Sequence, residues 1–162
     1  MDSMNIQFTI RVAQDGDAAG IAELLRQTGL WERIKAQTPE ETTAQVLRHL
    51  HLCLADNSHS IFVAVDENND VAGYIAAHWL PYLFLAGPEG YVSELFIHPE
   101  GRGQGLGRQL LDTIKAEARQ RGCVRLSLLN ARQRESYMRG FYQKQGWQER
   151  DHMANFVLWL SE

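Results

Sequence analysis

Residues 98–111 read HPEGRGQGLGRQLL, with glycine at 101, 103, 105 and 107. A simple turn needs one residue at positive φ, whereas glycines in alternation also let a ligand lie directly against bare peptide groups. After the loop, Leu106, Leu110, Leu111, Ile114 and Ala118 recur mostly three to four apart, which predicts one apolar face of a helix running to about Gly122. Before it, YVSELFIHP (91–99) is rich in β-branched and aromatic residues and ends at a proline, which predicts a strand. A strand, a glycine loop and a helix N-terminus in that order aim free N–H groups at the loop. An anion placed there gains roughly 0.3–1 kcal/mol. Phosphate binding is the chemistry this segment is suited to.

Two common phosphate loops fail on spacing. A P-loop needs Lys and then Ser or Thr after its last glycine, and Arg108 and Gln109 stand there. The dinucleotide fingerprint needs a glycine at 106 or 108, which are Leu106 and Arg108. Arg102-Gly103-Gln104-Gly105-Leu106-Gly107 instead resembles the Gln/Arg-x-x-Gly-x-Gly/Ala signature of the GNAT family of N-acetyltransferases. The resemblance implies that Arg102, Gly103, Gln104, Gly105, Leu106, Gly107 and Arg108 hold the pyrophosphate of acetyl-coenzyme A. A second stretch, GFYQKQGW (140–147), is similar to the family's Phe-Tyr-x-Lys-x-Gly-Phe motif, with Trp147 where Phe is usual. One departure stands out: an Asn is common seven residues before the motif tyrosine, and here that position is Glu135. Nothing is carried over from that asparagine.

The elements that must position these groups can be read along the chain. NIQFTIRVA (5–13) predicts a strand. Asp15 and Asp17 then offer caps for a helix with Ile21, Leu24 and Leu25 on its core stripe, ended by a turn at Gly29. Residues 38–56 carry Thr38 as a cap, Pro39 at the first helical position, acidic residues in the first turn, and Val46, Leu47, Leu50 and Leu54 along one face. Residues 59–79 read as two strands around a polar Asp/Asn tip, and 80–90 as a looser connection. After the glycine-loop helix, CVRLSLLN (123–130) predicts a strand, 134–145 a helix ending at Gly146, and NFVLWL (155–160) a final strand. This order is that of the GNAT family. The resemblance implies an α/β (α+β) fold in one domain over 1–162: a central mixed, mostly antiparallel sheet with a splayed strand pair and helices on both faces.

The resemblance also implies roles along the strand before the loop. There the family's strand parts from the next one, and the backbone groups of Leu95, Phe96 and Ile97 would bind the pantetheine arm, with an N–H near Phe96 or Ile97 stabilising the oxyanion. An ordinary amine of pKa ~10.4 is neutral in roughly one molecule in a few thousand at pH 7, a cost of about 4–5 kcal/mol, so the acceptor must lose a proton. Glu94 is the candidate to attract the ammonium and relay that proton, directly or through water. Strict alternation would put Tyr91 and Ser93 on the opposite face of the strand from Glu94. Tyr142 matches the family's usual general acid. A phenol stays protonated at pH 7 and can donate to a departing thiolate. His78 reads as structural, and the six histidines show no metal spacing.

Composition bounds the rest. The chain has 162 residues, 44% hydrophobic and 22% charged, which suits one globular domain. No apolar run approaches a membrane span and no secretory leader is legible, so a cytoplasmic location with no membrane partner is expected. Cys53 and Cys123 are expected to be free thiols. The net charge of −4, without any Lys/Arg block, argues against nucleic acid, although basic residues within 132–144 could face a phosphate. The expected activity is transfer of an acetyl group from acetyl-coenzyme A to a primary amine, by direct attack and without a metal. Glu89 and Glu94 near the acceptor end favour a small cationic amine. A protein lysine or amino-terminal acetyltransferase, a coenzyme A-binding regulatory module without catalysis, and a homodimer remain open at this level.

Overall fold

The computed structural model describes residues 7–161. The chain divides into two compact units, Met1–Leu128 and Leu129–Glu162.

The first unit is built on a five-stranded sheet in the order β1 (Thr9–Val12), β2 (His59–Val65), β3 (Val71–Leu80), β4 (Glu89–Ile97), β5 (Arg125–Leu128). The first four strands pair antiparallel, and β4 pairs with β5 in parallel, so the sheet is mixed and mostly antiparallel. One face is covered by α1 (Ala18–Thr28) and α3 (Pro39–Leu54), with Ile21, Leu24, Leu25 and Leu50 packed on Ile61, Val63, Tyr74 and Ala76. α4 (Leu106–Gln120) packs against β2, β3 and β4. Its Glu117 accepts a hydrogen bond from Ser60 on the other face, since Ser60 lies opposite Ala77 and next to Ile61 in the register. The predicted apolar stripe of this helix is its buried side: Leu106, Leu110, Leu111, Ile114 and Ala118 are all buried.

Local signals act as expected at α3. Thr38 accepts from the Glu41 N–H at 3.2 Å while Glu41 accepts from the Thr38 N–H at 2.8 Å, and Pro39 opens the helix. Asp17 behaves differently. Its carboxylate makes no side-chain cap for α1 and is paired with Arg11 across two contacts of 2.7 and 2.8 Å. A short helix, α2 (Glu32–Ala36), was not legible, because five residues show no period.

β4 begins two residues earlier than the sequence suggests, at Glu89, and carries a bulge. Ala76 pairs with Glu94 and Ala77 with Val92, so Ser93 is the extra residue. The bulge overturns the alternation expected from spacing. Tyr91 lies opposite His78 and Glu94 opposite Ala76, two residues apart on β3, so Tyr91 and Glu94 share one face.

In the second unit α5 (Glu135–Met138) is a single turn, followed by Gly140 at φ +68° and a 3-10 turn over Gln143–Gln145 that ends at left-handed Gly146. The helix expected over 134–145 is therefore broken at Gly140. Tyr137 donates to Glu149 at 2.8 Å, and Arg132 holds the same carboxylate. The strand expected over 155–160 is absent. Phe156 and Leu160 are 92% and 91% exposed. An isolated run of β-formers cannot satisfy its backbone groups, and the described residues of this unit offer no strand to pair with.

Candidate active site

The four glycines of the loop serve three different needs. Gly101 is buried, and a Cβ there would meet Leu106 at 3.2 Å and the Ala72 carbonyl and Ile97 at 3.4 Å, so its smallness is a packing requirement. Gly103 and Gly105 both sit at φ +75°, which L side chains rarely adopt. A Cβ on Gly103 would meet nothing within 4 Å, and one on Gly105 only the end of Gln109 at 3.9 Å, so the space above both is open. Gly107 is already inside α4.

Gly105 is also the N-cap of α4 and brings no side chain to cap it. The first helical bond runs from the Gln109 N–H to the Gly105 carbonyl at 3.0 Å, which leaves the N–H groups of Leu106, Gly107 and Arg108 without an intrahelical acceptor. Leu106 is 1% exposed, so it offers the loop only its backbone. Arg102, Gln104 and Arg108 are exposed, and Arg108 pairs only loosely with Asp112 at 3.8 Å. Uncapped N–H groups under a cradle without side chains, rimmed by two arginines, fit a pyrophosphate.

Upstream of the loop, β5 pairs with β4 only from Glu89 to Val92. The His98 N–H donates to the Ala72 carbonyl at 2.7 Å, which sets the phase of the antiparallel ladder. Phe96 thus turns its backbone groups into β3, while Leu95 and Ile97 turn theirs to the side where β5 no longer pairs. From Ile97 back to Ser93 this edge is about 13 Å long at ~3.3 Å per residue. A peptide-like arm can act there as the missing strand.

Glu94 lies on the α1/α3 face and accepts a hydrogen bond from the Tyr74 hydroxyl at 3.0 Å. Burial pushes its carboxyl up from the ordinary range, opposed by the Tyr74 bond and by His49 of α3. Burial, and then Glu94, push the Tyr74 phenol well above its ordinary value, so it stays a donor. Phe96 borders this pair, 5.8 Å from Tyr74 and edge-on to Trp31 at 5.5 Å between ring centroids. Glu89 has a different role from the one expected of it. It is 4% exposed and takes hydrogen bonds from Arg125 and Ser127, so its charge is spent within the sheet and draws no acceptor. Ser93 and His78, which spacing does not connect, are joined by a 3.0 Å contact from Oγ to Nε2.

In the second unit Tyr142 packs edge-on between Phe141 at 4.9 Å and Trp147 at 6.0 Å. Burial raises its phenol above the ordinary value, and Arg134 partly offsets this, so the hydroxyl carries its proton at neutral pH. Among the described residues no group of three or more His, Cys, Asp or Glu could hold a metal ion.

Comparison with known proteins gives this arrangement its class. Residues 27–147 match the acetyltransferase (GNAT) family, and the chain belongs to it. It is an acyl-coenzyme A-dependent N-acetyltransferase that acts on amines. Over 123 residues it is 31% identical to an aminoglycoside N(6')-acetyltransferase type 1 of Stenotrophomonas maltophilia, covering 74% of this chain and 72% of that one. Over 129 residues it is 27% identical to a thialysine N-epsilon-acetyltransferase of Bos taurus, with the same coverage of 74% and 72%. In fold it is similar to a solved transcriptional regulator of Bacillus halodurans, with a TM-score of 0.82 at 23% identity over 94% of this chain and 100% of that one.

Proposed function

We propose that this chain transfers the acetyl group of acetyl-coenzyme A to the primary amine of a small cationic molecule. The observation that carries the reading is the open cradle at Gly103 and Gly105, which runs into an uncapped helix and lies beside the part of β4, beyond Val92, with which β5 no longer pairs. Arg102 and the N–H groups of 106–108 would hold the pyrophosphate, and Leu95 and Ile97 the pantetheine arm. The bound cosubstrate supplies an activated acetyl thioester. Leu95 or Ile97 would present an N–H to the thioester oxygen; Phe96, the other residue expected to do so beside Ile97, turns its backbone groups into β3. Glu94, whose carboxylate accepts from Tyr74, attracts the ammonium and draws off its proton directly or through a water. Tyr142 is assigned from its place in the 140–147 motif as the donor to the leaving sulfur. The two curated relatives bear names for aminoglycoside and thialysine acetylation, which supports a small amine as acceptor.

The test is thiol release from acetyl-coenzyme A against an aminoglycoside, thialysine and a lysine-bearing peptide. Turnover with a small amine is the expected result, and turnover with the peptide alone overturns the small-molecule assignment. Binding can be tested separately. Acetyl-coenzyme A at a hundredfold excess over its dissociation constant should stabilise the fold by about 2.7 kcal/mol, more than ATP or NAD at equal concentration. Equal thermal shifts for all three ligands would remove the basis for a dedicated cradle.

Glu94→Gln should lower kcat/KM at neutral pH and recover part of the loss as pH rises, because an amine that has already lost its proton needs no carboxylate. An unchanged pH–rate profile would take Glu94 out of the reaction.

A further inference from the structure

We propose that Ser93 and His78 form a second proton path for the acceptor amine, with the Ser93 hydroxyl meeting the nitrogen and His78 taking the proton through it. This rests on the amine acetyltransfer argued above and adds a base to it. Ser93 is the bulged residue of β4, exposed, at the point where pairing with β5 has just ended. An arm entering at the glycine loop and lying along Ile97 and Leu95 has its far end here, one residue from Glu94. The Ser93 Oγ lies 3.0 Å from His78 Nε2, with only a longer 3.5 Å alternative at the Ala76 carbonyl.

The surroundings of His78 fit a base that begins neutral. Its ring meets that of His59 of β2 at a tilt of 58°, 4.2 Å between centroids, and Tyr91 of β4 edge-on at 6.1 Å. His59 is itself anchored, its Nδ1 lying 2.6 Å from Ser58 Oγ, which in turn donates to Asp56. Along the same sheet face lie Glu94 with Tyr74 on one side and the Glu89–Arg125 pair on the other. Burial, and then His59, hold the His78 imidazole below its ordinary value.

The protons balance. A proton of the ammonium passes to Ser93 Oγ as the proton of Ser93 passes to His78 Nε2, which requires the Nδ1–H form of that ring. The neutral nitrogen then bonds to the acetyl carbon as the carbon–sulfur bond breaks. The second proton lost by nitrogen is matched by the one gained by sulfur, and His78 returns the first to solvent.

The experiment measures kcat, KM and their pH dependence for the full chain with an aminoglycoside and thialysine as acceptors, together with acetyl-coenzyme A affinity. His78→Gln should lower kcat by about tenfold near neutrality, below the full range for a sole base because the Glu94 route remains, with recovery as pH rises and cofactor affinity retained. Ser93→Ala should lose less, since a water can stand in for the hydroxyl. His59→Asn, which removes the neighbouring imidazole but keeps His78, should move the acidic inflection of the profile upward. His78→Gln with the wild-type profile, or an inflection that stays put in His59→Asn, overturns the path while leaving acetyltransfer intact. A wild-type chain that releases no thiol with any amine overturns the acetyltransfer reading, and this path with it.

Discussion

Tyr142→Phe should leave acetyl-coenzyme A affinity nearly unchanged while turnover falls by about 10²–10⁴-fold, the usual range for loss of a general acid. The ring keeps its edge-on packing between Phe141 and Trp147, so the substitution deletes a proton donor and little else. Burial keeps that phenol above its ordinary value, so it carries its proton across the working range. If the ring were only a packing element, Phe would be nearly neutral for both binding and turnover. An acyl donor with a more acidic thiol sharpens the measurement. A better leaving group needs less protonation, so it should rescue the variant more than the wild type. Equal losses with good and poor leaving groups would make Tyr142 a residue that positions the thioester and not its acid.

What could be read from the sequence was what is decided locally. Thr38, Pro39 and Glu41 announce the start of α3 because a capping box is made within four residues. The stripe from Leu106 to Ala118 announces α4 because one helix face meets one sheet face. The Gly103 and Gly105 cradle was legible for the same reason. Features decided between elements were not. The Ser93 bulge exists only in the pairing of β4 with β3, and it reverses which neighbours share a face with Glu94. Glu89 reads as an acidic residue beside the acceptor, but Arg125 and Ser127, on a strand 36 to 38 residues away, consume its charge. The Ser93–His78 contact likewise spans 15 residues and depends on the bulge. NFVLWL has the composition of a strand, yet composition does not supply a neighbour to pair with.

Gly105→Asn should abolish acetyl-coenzyme A binding while the domain stays folded, a separation that bulkier replacements cannot make. Gly105 has two properties at once, φ +75° and open space above it, and valine would violate both. A β-branched residue in the left-handed region costs about 1–2 kcal/mol or more in folding, so lost binding could follow from a distorted α4 N-terminus. Asparagine tolerates that region far better than other side chains. It therefore keeps the helix entry and puts its amide where the pyrophosphate would lie against the N–H groups of 106–108. Thermal unfolding without ligand should change little, and the stabilisation by acetyl-coenzyme A should vanish. Gly101→Ala supplies the contrast, because its Cβ meets Leu106, the Ala72 carbonyl and Ile97 at 3.2–3.4 Å and no cradle. That variant should lose stability first and affinity only as a consequence. If Gly105→Asn binds the cofactor as the wild type does, the glycine is there for its backbone angle alone and the phosphate site lies elsewhere.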